Sequence, residues 1–262
     1  MTRRLPGLML LAAATACTEV GTDPNAVVAL EFEGAADPSI VAGDSLRDSL
    51  GVLEPLRFTA LNFKGEPVPD AVAVFSSPDT IVRISSDGIV FARGPKPDAT
   101  PVRVFATIGS LQSQPDSLFV VLRADSIKAD KATEDVPVGE NGGASSADSL
   151  RFFVFGDSAN GKPGPIAHWL VSYQLRYRGA LLSPTDTSIA YTFEASGGTT
   201  PRRLATFIDT TDAQGRSARR VFVRSMPAAS TEDTIFLVAT IRSRTAGAAP
   251  ISAQTTILLR RQ

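Results

Sequence analysis

The 262-residue chain has one cysteine, one histidine and one tryptophan. A single cysteine excludes an intramolecular disulfide, so the fold rests on apolar burial, which a hydrophobic content of 43% can supply. One histidine and one cysteine also exclude an ordinary zinc site. Any Ser-His-Asp chemistry would depend on His168 alone. Neither sign of charge dominates: 26 basic residues face 27 acidic ones, a net −1 without the strong basic excess of a nucleic-acid-binding chain. No apolar run reaches the roughly 20 residues that a membrane-spanning helix needs. A sustained helical period is missing after the first residues, and 18 prolines and 20 glycines would break long helices.

What is present begins with the cysteine's position. Arg3 and Arg4 precede the apolar run Leu8 to Ala14, and Thr15-Ala16 leads into Cys17. A charged start, a short apolar stretch and small residues before a cut are the parts of a secretory signal. With the cysteine directly after the small residues, the segment resembles a bacterial lipoprotein signal. That resemblance implies cleavage before Cys17, fatty acyl chains such as palmitate on the thiol and acylation of the new amino terminus. Residues 1–16 are then the signal peptide and 17–25 a lipidated tether. Thr18 stands where an aspartate often marks inner-membrane retention, so the expected location is the cell envelope, at the outer membrane.

Beyond the tether the pattern is all-β. Val27–Phe32, Leu56–Leu61 and Val102–Ala106 are short, rich in β-branched and aromatic residues, and partly alternating. Turn clusters such as Lys64-Gly65-Glu66-Pro67 and Asn160-Gly161-Lys162-Pro163 separate them. Leu56-Arg57-Phe58 with Gly65-Glu66-Pro67 recurs as Leu150-Arg151-Phe152 with Gly161-Lys162-Pro163, 94 and 96 residues on, about the length of one Ig-type domain. The expected fold is therefore two tandem β-sandwiches, residues 26–123 and 124–262. Charge divides at the same place. Cys17 to Arg123 carries 14 acidic and 8 basic residues, and Ala124 to Gln262 carries 13 and 16. The halves thus balance at −6 and +3.

Phe75 to Ala92, with its Ser76-Ser77, Asp79 and Gly88-Ile89-Val90-Phe91-Ala92, resembles the bacterial Ig-like domains called group 2. Phe75 stands where that family usually has tryptophan. Asp209 to Ala218, with Thr211-Asp212 and Gly215, is similar to the invasin-type, group 1 domains. Neither resemblance carries catalytic residues. Together they imply a non-enzymatic, lipid-anchored module array serving adhesion, display or spacing, with the membrane as one partner.

Several residues invite a sharper role. Trp169 is expected in the core, with His168 on the opposite, solvent-facing side of a strand over 166–171. Asp125, Asp130, Glu134 and Asp135 gather near the junction, but without calcium-loop spacing. No cofactor is expected. Recurring Asp-Ser-Leu and Asp-Ser-Ile steps fit backbone capping at strand entry rather than a site. Arg216, Arg219, Arg220 and Arg224 fall in one strand region, and Arg242 and Arg244 in another. If those strands are neighbours, Arg220, Arg224, Arg242 and Arg244 form a basic stripe, a candidate binding surface for an anionic polysaccharide or another envelope protein. The alternatives are an ordinary solvated sheet face and, less in keeping with the residues, an envelope enzyme with a site around His168.

Overall fold

The computed structural model describes residues 26–35, 37–48, 51–96, 100–139, 145–147, 149–157, 163–183, 188–194, 208–224, 232–241 and 249–261. Cys17, Arg242 and Arg244 lie outside the described residues. Those described form strands and turns, with no helix among them. The chain is all-β, built as two β-sandwiches in tandem.

The first sandwich uses β1 (Ala29–Phe32), β2 (Ser39–Val41), β3 (Phe58–Leu61), β4 (Val74–Ser76), β5 (Val82–Ile84), β6 (Val90–Ala92), β7 (Val102–Ile108), β8 (Leu111–Gln112) and β9 (Asp116–Val121). One sheet runs β2-β9-β7-β4, with β8 also on β7, while β1-β3 and β5-β6 pair separately. Alternation decides the faces. In β7, Val102 and Val104 are buried while Arg103 between them is exposed. The buried residues meet Ile40, Leu46, Leu56, Val82, Val90, Ala92 and Leu118 in one cluster. Phe75 packs on it and meets Phe32 and Phe58 edge-on at 6.2 and 5.8 Å. Two of the Asp-Ser steps cap backbone in this sandwich. Asp44 accepts from the Ser45 amide at 2.7 Å, and Asp116 accepts from the Ser117 amide at 2.8 Å.

The second sandwich uses β10 (Ala124–Ala129), β11 (Thr133–Val138), β12 (Ser145–Ser146), β13 (Leu150–Asp157), β14 (Pro163–Pro165), β15 (Leu170–Tyr177), β16 (Ala180–Leu181), β17 (Ala190–Glu194), β18 (Ile208–Thr210), β19 (Arg216–Val223), β20 (Glu232–Ile241) and β21 (Ile251–Arg261). One sheet is ordered β10-β13-β19-β12, with β14 on β13 and β17 on β19. The other is ordered β11-β21-β20-β15-β16, with β18 on β15. Phe152, Val154, Val221 and Val223 face inward from the first sheet. Val171, Tyr173, Leu175, Ile235, Leu237, Ile257 and Leu259 face inward from the second. Trp169 closes this core at 1% exposure.

Trp169 is buried as the sequence predicts, but the strand over 166–171 is not formed. β15 begins at Leu170, and residues 167–168 make a turn with His168 at φ 57°, in the left-handed region. Thr211 imposes that turn. Its hydroxyl donates to the Ile166 carbonyl at 2.6 Å and accepts from the Trp169 amide at 2.9 Å. Its carbonyl also accepts from the His168 amide at 2.9 Å. The strand alternation that would have sent His168 to solvent is broken, and its ring is half-buried instead.

Candidate functional site

The displaced histidine marks the junction between the sandwiches. The His168 imidazole lies on the ring of Phe119 from β9, centroids 3.5 Å apart and planes 8° from parallel. Ser39 from β2 donates through Oγ to the His168 carbonyl at 2.8 Å. Burial lowers the His168 pKa below its ordinary value, disfavouring the charged ring. Only Leu122 and Arg123 separate β9 from β10, and Leu122 packs against the second core together with Phe119. Val41 and Val121 from the first sandwich belong to that same cluster. Gly156 in β13 pairs with Ala124, and a Cβ built on it would fall 1.9 Å from the Arg123 carbonyl oxygen. The connection is therefore in contact with packed residues on both sides.

The arginines divide by face. In β19, Ser217, Arg219, Val221 and Val223 point inward and Arg216, Ala218, Arg220 and Phe222 outward, with Arg224 exposed just beyond the strand. The outward placement of Arg220 and Arg224 agrees with the alternation read from the sequence. A stripe joining them to the next strand does not follow, because β19 and β20 belong to opposite sheets. Arg176, next to last in β15, is exposed, and Arg178 sits at φ 48° in the turn before β16.

Arg219 is a residue the linear pattern hid. At 2% exposure it crosses the core. Its guanidinium pairs with Asp209 at 3.1 Å and donates to the Ile208 carbonyl at 2.7 Å. It also lies 5.0 Å from the Tyr173 ring centroid. Tyr173 donates its hydroxyl to Ser217 at 2.7 Å, and Ser217 donates to Asp209 at 3.2 Å. This network ties β18 in one sheet to β19 in the other. Arg219 Nε is buried without a hydrogen-bond partner. The basic residues flanking Arg219 were the only signal in the sequence, and they suggested a surface instead.

A second cluster closes the β15–β16 hairpin. Asp233 accepts from the Tyr177 hydroxyl at 2.6 Å and from Arg178 at 2.9 Å. Burial alone would raise the Asp233 pKa, but the Tyr177 hydroxyl, the Thr234 amide and Arg178 outweigh it and hold the carboxyl below its usual value. The sign follows. A carboxylate with a depressed folded pKa contributes stability above its unfolded value of about 4, and that contribution is lost as pH falls through the folded value. Asp233→Asn is expected to lower stability at pH 7 by about 1 kcal/mol and to flatten the stability loss below about pH 4, checked by urea unfolding at stepped pH. An unchanged acid slope would remove Asp233 from the account.

Among the described residues, no group of three His, Cys, Asp or Glu could hold a metal ion. Of the acidic residues near the junction, Glu134 is engaged by Lys131 at 2.7 Å and Asp135 by Arg260 at 3.4 Å. The His168 ring lies on Phe119, and buried Ser39, whose hydroxyl also lies 3.2 Å from the Asp37 carboxylate, meets the His168 backbone carbonyl.

No family model matches the chain, and no curated protein matches it. Among solved structures, the chain is similar to the Yersinia pseudotuberculosis adhesin InvE at 14% identity and a TM-score of 0.31, covering 87% of this chain and 58% of that one. It is also similar to mouse Cadherin-23 EC22-24 at 15% identity and a TM-score of 0.27, covering 91% and 65%. Human Mucin-like Protocadherin EC1-2 is similar at 10% identity and a TM-score of 0.30, covering 89% and 98%. The chain spans little more than half the length of the adhesin. At these identities and scores the likenesses carry no conclusion for this chain.

Proposed function

We propose that this chain is a lipid-anchored envelope protein whose two sandwiches, divided near Arg123-Ala124, act as a non-enzymatic spacer and adhesion module. The observation that carries the reading is the junction. A two-residue connection is held between the His168–Phe119 stack and the close approach of Gly156 to Arg123. Two cores coupled in that way hold a distal surface at a set distance from an anchor, which two modules on a flexible linker do not. Cys17, nine residues before Ala26, supplies the anchor through the lipoprotein-like signal, with the outer membrane as the expected site. The reading for this chain rests on its own junction and signal.

The anchor is tested by expressing the full-length protein in a bacterial host and labelling it with a fatty-acid analogue. The label is expected on the wild type. Cys17→Ser should lose it and release the protein from the membrane fraction, or leave the signal uncleaved. Unlabelled, freely soluble wild type would contradict lipidation.

A further inference from the structure

The chain enters the first sandwich at the end opposite the junction. β7, β8 and β9 form one long hairpin, with Gly109 and Ser110 at its tip and Val121 at its other end, packed into the second core. β1 lies against β8, and the chain runs from there toward the junction. On that course the Ala35 amide donates to Asp116 at 3.3 Å, and Ser39 to Val41 pair in parallel with Phe119 to Val121. β1 therefore starts at the tip end. The same end carries apolar side chains in water. The Val28 amide donates to the Leu61 carbonyl at 2.9 Å, which sets exposed Val28 beside the turn that follows β3. That turn exposes Phe63. Buried Asn62 holds the turn, its Oδ1 accepting from the Lys64 and Glu66 amides at 2.9 and 3.0 Å. β4 begins here too, since Val74 pairs with Thr107 just before the hairpin tip. Ala73 faces inward, and Val72 and Val74 on either side of it are 83% and 70% exposed, the highest values among the large apolar residues described. Single exposed apolar residues are ordinary, but a group of them at one end marks a contact surface.

We propose that this end is a docking surface for the lipid bilayer that holds the anchor, with Val28, Phe63, Val72 and Val74 dipping into the headgroup region and setting the tilt of the first sandwich. The inference rests on the lipid-anchor reading, and the chain entry selects the occupant. Cys17 stands nine residues before Ala26, a stretch that reaches at most about 30 Å, so an anchored protein keeps this end beside the membrane and points the junction away from it. Side chains that project singly from a turn and from strand starts give a folded partner no groove to fill, whereas a fluid lipid surface closes around each one. Charge does not hold the contact. Lys64, 5.7 Å from the Phe63 ring centroid, is offset by the exposed carboxylates Glu66 and Asp70 at the same end. Docking is therefore apolar, works on neutral lipid and is insensitive to salt.

The test reconstitutes the full-length protein into phosphatidylcholine vesicles that contain nitroxide-bearing phosphatidylcholine. A fluorophore is placed on Ser110→Cys, exposed at the hairpin tip, and in a separate control on Asp130→Cys, exposed in the second sandwich. The protein is expected to float with the vesicles, with the label at residue 110 quenched and the label at residue 130 not. The quenching should persist at about 1 M salt, where charge contacts are screened within about 3 Å. The combined variant Phe63→Ser, Val72→Ser, Val74→Ser should still float but lose most of the quenching. Its three side chains are exposed, and a thermal melt excludes unfolding as the cause. Equal quenching in parent and variant would mean that the tether alone brings the tip to the lipid, and would overturn the docking surface. A parent that floats without quenching at residue 110 would overturn it as well, while leaving the anchor standing. A parent that fails to float would overturn the anchor and the docking together. Quenching lost in salt would contradict an apolar contact, and self-association in detergent that the variant abolishes would assign this end to a second copy instead.

Discussion

Trp169→Ala is expected to destabilise the second sandwich by about 3–5 kcal/mol, the range for truncating a large aromatic residue in a core. The indole is 1% exposed and sits where the turn at 167–168 feeds β15. Its backbone amide and carbonyl are both held by Thr211. Removing the indole therefore empties a cavity under a segment that cannot collapse into it without breaking those bonds. Urea unfolding read by circular dichroism gives the number, because the fluorescence of the chain's one tryptophan disappears with the substitution. A loss under about half a kcal/mol, the size of an ordinary surface substitution, would place the indole outside the core.

Gly156→Ala has the second large effect, and it acts at the junction. A Cβ at that position would lie 1.9 Å from the Arg123 carbonyl oxygen and 3.2 Å from the Ala124 Cα, both backbone atoms. The first distance is far inside van der Waals contact, so β10 has to leave β13 at its first pair. The register irregularity between Ala124 and Ser126 shows that this end of the pairing is already distorted. A loss of about 2–4 kcal/mol is expected, in the upper range for overpacking, together with loosening of the inter-sandwich connection. Unchanged stability and an unchanged junction would mean that Arg123 shifts without cost.

Local periodicity made the strands and their faces legible. The eight residues of β19 show why, since alternate positions in a pleated strand cannot share a side, and the burial of Val221 and Val223 against Arg220 follows from counting by two. Burial of Trp169 was legible for the same reason, as a large aromatic at the start of an apolar run. The fate of His168 was not. Its turn is set by Thr211, more than 40 residues later in the chain, and its ring finds Phe119 in the other half. Arg219 was read with its charged neighbours because nothing near it in sequence announces Tyr173, 46 positions earlier, or an Asp209 carboxylate placed to pair with it. Strand order was hidden in the same way. β19 and β20 are consecutive in the chain yet lie in opposite sheets, which separates Arg220 from β20.

The most direct measurement of the account's central claim is the distance between the two sandwiches in solution. Spin labels at Ser86→Cys in the first and Asp130→Cys in the second, both exposed positions, in a Cys17→Ser background, report it by pulsed dipolar spectroscopy. A held junction predicts a single narrow distance distribution that Gly156→Ala broadens. A broad distribution in the parent protein, indifferent to Gly156→Ala, would contradict the spacer, because two freely jointed sandwiches cannot hold a surface at a set distance from the membrane.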